Sequence, residues 1–254
     1  MINRSHLSMV AVLGLIVALA LVPMSVQAQD STPRTPNGRP DFSGFWSNPV
    51  RPGGPRVTVF SEEAMAPFTP GGEALFFEPR TGDPRHDEPR AFCLPSGFPS
   101  GFFGPYPVQM VQTDDWLVMV TEFQRITRLI PLDGRPHQEG IEPTYYGDPV
   151  GHWEGDTLVV DSRSYKRWSL DDYYYQDPTE YRMHTEDFHT IERIQFKDDG
   201  MLSYNFTVDD PQIFVEPWSE EFEMQLHPEW EEVGLYEFVC EENNRCAGGE
   251  CEGN

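Results

Sequence analysis

The fingerprints of several common catalytic machines are missing from this 254-residue chain. It has no G-x-S-x-G elbow, no P-loop and no dinucleotide-binding glycine pattern, which disfavours a serine hydrolase and a nucleotide enzyme. It has no H-E-x-x-H pair and no C-x2-C knuckle, so neither a helical zinc site nor a zinc ribbon is signalled. Basic residues are scarce: 18 Lys and Arg stand against 42 Asp and Glu, a formal net charge of −24. Such a surface repels nucleic acid and anionic lipid, so neither is expected as a partner. No long apolar run follows the N-terminal one, and no later membrane span is expected. Internal repeats and low-complexity blocks are absent as well.

What is present begins with a targeting segment. Arg4 precedes an apolar stretch over residues 7–22, and Val26-Gln27-Ala28 has the small-x-small form of a cleavage site. Residues 1–28 therefore read as a secretory signal peptide, and a periplasmic or secreted location is expected. The stretch is short for a bilayer span, and no Cys at the cleavage site offers a lipid anchor. Residues 29–41 read as a flexible leader, 42–241 as one β domain and 242–254 as an acidic tail; one β domain commonly has this size. Four cysteines occur, Cys93, Cys240, Cys246 and Cys251. Export makes disulfides the default, and four cysteines allow three pairings among which sequence does not choose. The favoured set is Cys93–Cys240 with Cys246–Cys251. Zinc is the alternative, against which stands the wide C-x5-C-x4-C spacing.

The stretch from Gly147 to Ser162, GDPVGHWEGDTLVVDS, reads as a β-hairpin. Glu154-Gly155-Asp156 is the turn, and Leu158, Val159 and Val160 are β-formers. Further strands are predicted over residues 42–48, 57–60, 108–113, 116–122, 125–131, 188–196, 201–208, 219–226 and 234–240, with Lys197-Asp198-Asp199-Gly200 as the turn of a second hairpin between 188–196 and 201–208. In the strand over 116–122 both faces are largely apolar, as for a strand packed on both sides. One short helix is expected within 61–77, with Thr69 as its N-cap. Residues 78–107 are dense in Pro and Gly and read as a long irregular loop. Residues 165–187 are charged and aromatic and read as an excursion over one end of the sheet. The fold class is therefore all-β, with about ten strands, one short helix and long loops. The expected form is a single antiparallel, lipocalin-like barrel or a sandwich.

Several matching blocks recur along the mature chain. They are Asp41-Phe42-Ser43-Gly44-Phe45-Trp46, Cys93-Leu94-Pro95, Pro105-Tyr106-Pro107, Asp133-Gly134-Arg135, Trp153-Glu154-Gly155-Asp156-Thr157-Leu158-Val159-Val160-Asp161, and His189 with Glu192-Arg193. With them the chain resembles a family of uncharacterised exported bacterial proteins, in whose pattern Arg stands at the position of His152. The Gly-x-Trp triplet Gly44-Phe45-Trp46 also resembles the first strand of lipocalins, where the Trp closes one end of the barrel.

Candidate chemistry centres on His189. Alternation puts His189, Ile191, Arg193 and Gln195 on one face of their strand and Phe188, Glu192, Ile194 and Phe196 on the other. With the polar face inward, an imidazole able to take a proton near pH 7 would sit beside a guanidinium. His189 is then the base, Asp187 its orienting partner, Tyr174 or Asp172 the acid, and Arg193 or Arg125 the anion stabiliser. Tyr173, Tyr175, Trp168, Trp116 and Tyr145 are the candidate ligand-binding aromatics. Glu122, Arg125 and Arg128 beside one strand pair, and Asp133 with Arg135 at the next turn, read as ion pairs, at a rim or buried. His137, His152, His184 and His189 invite a metal reading, but no tight ligand spacing supports it, and no metal or cofactor is assigned. The expected function is an exported enzyme with acid/base chemistry on a small molecule, of lyase, isomerase, cyclase or hydratase type. The alternatives are a periplasmic lipocalin-like binding protein and a structural envelope protein.

Overall fold

The computed structural model describes residues 32–47, 60–83, 87, 93–102, 106–171, 177 and 179–240. Outside them lie the signal peptide, Tyr173, Tyr174, Tyr175, Asp172, Cys246, Cys251 and most of the expected strand over 57–60. All strands pair antiparallel, in three sheets. The first sheet holds β1 (Gly44–Trp46), β3 (Val108–Gln112), β4 (Trp116–Thr121) and β5 (Thr127–Pro131), in the order β1-β3-β4-β5. The second holds β6 (Asp148–Glu154), β7 (Thr157–Arg163), β10 (His189–Phe196), β11 (Leu202–Asp209) and β12 (Trp218–Met224), in the order β12-β11-β10-β7-β6. A small third sheet has the order β2-β9-β8, with β2 (Phe77–Pro79), β8 (Trp168–Ser169) and β9 (Glu180–His184).

Period-2 alternation decides what lies between the two large sheets. Met110, Leu117, Met119 and Ile130 of the first sheet share one core with Leu158, Val160, Ile194, Tyr204, Phe206 and Phe222 of the second. The outer face of the first sheet is not covered: Val111 is 45% and Leu129 56% exposed. The strand at 116–121 is therefore packed on one side, not both. Trp46 is a core residue whose indole N–H donates to the Phe42 carbonyl at 2.9 Å.

The fold takes the sandwich form of the expectation, and the barrel does not close. At one corner the sheets touch through a single bridge, Trp46 with Leu226. At the other, Gly134 N donates to Gly151 O at 3.0 Å. Gly151 favours this close approach, because a Cβ would lie 3.0 Å from the Leu132 side chain and 3.1 Å from the Pro131 carbonyl, and the neighbours would have to shift by a few tenths of an ångström. With no closed ring there is no lipocalin-type calyx among the described residues.

Other expectations are corrected by local chemistry. The helix shrinks to α1 (Gly72–Phe76), since Pro67 and Pro70 keep the preceding chain from turning helical. Its N-cap is Gly71, and the Thr69 hydroxyl donates instead to the Gln212 carbonyl at 2.7 Å. Residues 234–240 form no strand. The Leu235 and Tyr236 carbonyls are taken by the Arg125 side chain rather than by a ladder. The aromatic excursion contributes β8 and β9. The leader from residue 32 onward is pinned to the β6–β7 turn, with Arg34 on Asp156 at 2.8 Å and Arg39 on the Gly155 carbonyl at 3.0 Å. Cys93 and Cys240 are bonded across 147 residues, the pairing favoured above. No helix among the described residues is long and apolar enough to cross a membrane.

A buried ion pair ties the large sheets together. Arg128 of β5 donates from Nη1 and Nη2 to the two carboxylate oxygens of Glu192 of β10, at 2.6 and 2.5 Å. Nη2 also reaches Ser162 of β7 at 2.8 Å, the Tyr204 hydroxyl donates to Glu192, and the guanidinium lies 4.0 Å over the Phe98 ring. Burial alone would depress the guanidinium's pKa, but the charge and hydrogen bonds of Glu192 outweigh it and hold Arg128 above its ordinary value. The pair is thus the buried alternative of the sequence reading, and Asp133 with Arg135 at 2.8 Å is the rim alternative. Removing one partner strands the other charge in the core. Glu192→Leu is expected to lose about 3–5 kcal/mol in urea unfolding, and the R128M/E192L double variant to recover most of it. Equal losses in the single and double variants would contradict the pairing.

His184, at the end of β9, is buried as a neutral ring. It stacks on Phe188 with centroids 4.2 Å apart, and its Nδ1 donates to the Thr185 carbonyl at 3.0 Å. Burial pushes its pKa down to about 4, against the upward pull of that carbonyl. The unfolded ring takes its proton near pH 6.5 and the folded ring only near 4. Its contribution is therefore present above about pH 6.5 and is lost as the pH falls toward 4, about 3 kcal/mol in all. Wild type is expected to lose more stability across this window than His184→Phe, read from denaturant midpoints. Parallel pH curves would contradict a buried neutral ring.

Candidate functional site

Alternation along β7 and β10 assembles the site on the outer face of the second sheet. Thr190, Glu192 and Ile194 of β10 are buried, so His189, Ile191 and Arg193 point out. Ser162 and Val160 of β7 are buried, so Asp161 between them points out. Asp161 pairs directly with Ile191, which makes His189 its diagonal neighbour and brings the ring within reach. His189 Nε2 lies 3.0 Å from Asp161 Oδ1.

A second imidazole arrives from the loop after β5. His137 Nε2 is 2.9 Å from the same Asp161 oxygen, and its Nδ1 is 3.1 Å from Asp148 Oδ2. Asp148 starts β6 and also accepts the backbone N–H of Gln138 at 2.9 Å, which fixes the loop. Arg163 Nε approaches Asp161 Oδ1 at 3.3 Å, and Asp209, paired across from His189, comes to 3.7 Å of its Nδ1. Both imidazoles retain about a fifth to a quarter of their side-chain exposure, 21% for His189 and 24% for His137.

Ionised carboxylates only accept, so donor and acceptor roles follow. Both His137 nitrogens face carboxylates, and that pair of contacts is complete only when both carry protons. His189 needs a proton on Nε2 alone, which leaves its Nδ1 lone pair without a hydrogen bond. Burial would raise the pKa of Asp161, but the hydrogen bonds and charge of His189, the hydrogen bond of His137 and the charge of Arg163 hold it well below the ordinary carboxylate range.

The site differs from the sequence expectation in its membership. The polar face of β10 points outward, because Phe188 and Ile194 claim the core. Asp187 does not orient His189. It accepts from the Gln212 side chain, and Asp161 takes its place. Arg193, four residues along the strand, pairs with Glu154 at 2.6 Å in an exposed position and does not join His189. Arg125 lies elsewhere, beside the disulfide. Trp168 donates to the Pro95 carbonyl at 3.0 Å and sits edge-on to Tyr145, while Trp116 lies on the first sheet under Arg135. These three aromatics do not gather around His189. Asp161 is not singled out by the sequence, and His137 enters there only in a metal reading. Asp161 stood in view as the last residue of the WEGDTLVVD block, but only strand pairing joins it to His189. Among the described residues, no group of three His, Cys, Asp or Glu is arranged to hold a metal ion. Compared with known family models and with curated proteins, the chain matches none.

The hub of this cluster is testable through stability. Because the folded pKa of Asp161 is depressed, its contribution is present above the unfolded value near 3.8 and is lost as the pH falls below it. Asp161→Asn is expected to cost about 1–3 kcal/mol at pH 7, with the gap to wild type narrowing below about pH 4. A gap independent of pH would contradict the charge-assisted hub.

Proposed function

We propose that the protein is an exported enzyme that performs acid/base chemistry on a small organic molecule, with His189 as the base. One observation carries the reading: Asp161 accepts from Nε2 of His189, which leaves the Nδ1 lone pair of a partly exposed imidazole without a hydrogen bond. A carboxylate that fixes the tautomer of a histidine in this way is the usual means of preparing a base. The proton of an activated C–H or O–H bond moves onto Nδ1, and the imidazolium so formed is countered by Asp161 and by Asp209 at 3.7 Å. His137 holds Asp161 from its other side and is a positioning residue. Arg163 is the guanidinium at hand for a developing anion, being 3.3 Å from Asp161 and more than half exposed. The reaction classes that need no more than this are proton-transfer isomerisations and eliminations, with hydration as the reverse of elimination. Export is supported by the Cys93–Cys240 bond, since disulfides persist in oxidising compartments.

Deuterium exchange tests the reading without a known substrate. The mature, oxidised protein is incubated in D2O with a panel of small enolisable keto acids and hydroxy acids, and loss of α-proton signals is followed by NMR. The expected result is exchange with at least one compound, falling by about 10²-fold or more in His189→Gln and by a smaller factor in Asp161→Asn. Exchange that persists in His189→Gln, or none across the panel, would overturn it.

A further inference from the structure

A second site lies at the opposite kind of place, in a cleft rather than on a sheet face. Beside the Cys93–Cys240 bond is a cleft of about 370 Å³, walled by Pro95, Ile126, Phe238 and the disulfide, with Arg125 and Tyr146 as its charged and phenolic groups. We propose that this cleft binds a small carboxylic acid with an apolar body, the carboxylate held by Arg125 and Tyr146. The inference stands apart from the acid/base reading and shares no residue with it.

Three features point to an occupant of this chemistry. The volume is that of a modest ligand pocket. The Tyr146 hydroxyl is buried and has no hydrogen-bond partner among the described residues. An unmade bond at a buried hydroxyl is costly, and such groups call for a partner that the protein does not itself supply. Burial also pushes the pKa of that hydroxyl up, against a weaker lowering by the Gly97 backbone N–H, which can only donate to the phenolic oxygen and leaves the O–H itself without an acceptor. It is therefore a donor, and the missing partner is an acceptor.

Arg125 supplies the complementary charge. Its Nη2 is spent on the carbonyls of Leu235 and Tyr236, at 3.0 and 2.5 Å. Its Nε and Nη1 have no protein partner among the described residues. The residue is held with φ at 49°, directly after Gln124 with φ at 56°, an arrangement that side-chain-bearing residues seldom adopt twice in succession. Gln124 is fixed by Ser96 and the Leu94 carbonyl, so the backbone that aims Arg125 is locked. The chain over residues 235–240 forms the roof. It is tied by Arg125, by Glu122 accepting from Tyr236 N at 3.0 Å, by Phe123 against Phe238 at 5.0 Å, and by the disulfide. In a chain of net charge −24, a guanidinium with spare donors over an apolar wall selects a single carboxylate on a hydrophobic body.

The test uses 2-naphthylacetate as probe and 2-naphthylacetamide as its neutral counterpart, titrated into the mature, oxidised protein and followed by amide chemical shifts. The acid is expected to shift the amides of Ile126, Tyr146 and Phe238 and to bind at least five-fold more tightly than the amide. Tyr146→Phe removes only the unpartnered hydroxyl and is expected to fold as wild type while weakening the acid about ten-fold. Arg125→Gln is expected to weaken it further and to abolish the preference for the acid over the amide. No shift at these residues with either probe, equal binding of acid and amide, or undiminished binding by a folded Tyr146→Phe variant would each overturn the proposal.

Discussion

The register of β10 against β7 is the constraint on which the core and the site both rest. Successive residues of β10 face opposite sides, so Glu192 is delivered to Arg128 in the interior while His189 is delivered to Asp161 outside. A slip of one residue would exchange the two faces. It would drive His189 into the aromatic core and expose the carboxylate that bridges the sheets. Burial of alternate residues sets that register across the two strands, while tight turns fix only β7 on β6 and β10 on β11. Gly155 takes φ at 63° in the β6–β7 turn, and Lys197 N donates to Met201 O at 2.8 Å across the β10–β11 turn.

The buried Arg128–Glu192 pair has a second role in the choice of architecture. Two charges withdrawn from water offset their desolvation only with good mutual geometry and further hydrogen bonds. Glu192 engages both terminal nitrogens of Arg128, and Ser162, Tyr204 and the Phe98 ring add contacts from three separate segments, while the buried Arg128 Nε has no hydrogen-bond partner among the described residues. The pair therefore links β5 of the first sheet to β7, β10 and β11 of the second at one defined point. The corners are looser, with one backbone bond at Gly151 and one bridge at Trp46, and the sheets remain a sandwich.

Much of the strand map was legible, and the reasons are local. The Glu154-Gly155-Asp156 and Asp198-Asp199-Gly200 turns announce themselves by residue type, and the runs beside them alternate. Alternation separates the two faces of β10 but does not say which turns inward; Phe188 and Ile194 claim the core and send His189 outward. Glu192 shows why such a face deceives: a charged residue reads as solvent-facing until its buried partner is known. Asp161 and His137 were not legible as partners of His189, since 28 and 52 residues separate them from it and only pairing of β7 with β10 and docking of the loop after β5 bring them close. The strands β2 and β8, of three and two residues, carry too few residues for alternation to register, and β9 is masked by the charged and aromatic residues around it. The favoured disulfide came out as expected, whereas the expected final strand did not, because Arg125 consumes its carbonyls.

The tautomer of His189 tests the central claim most directly. Two-bond ¹H–¹⁵N spectra of the mature protein, recorded where the ring is neutral, distinguish a protonated Nε2 from a protonated Nδ1. The expected spectrum shows His189 protonated at Nε2 with Nδ1 bare, and this pattern lost in Asp161→Asn. A neutral ring protonated at Nδ1, or a mixture of tautomers indifferent to Asp161, would contradict both the register-built pairing and the base assigned to it.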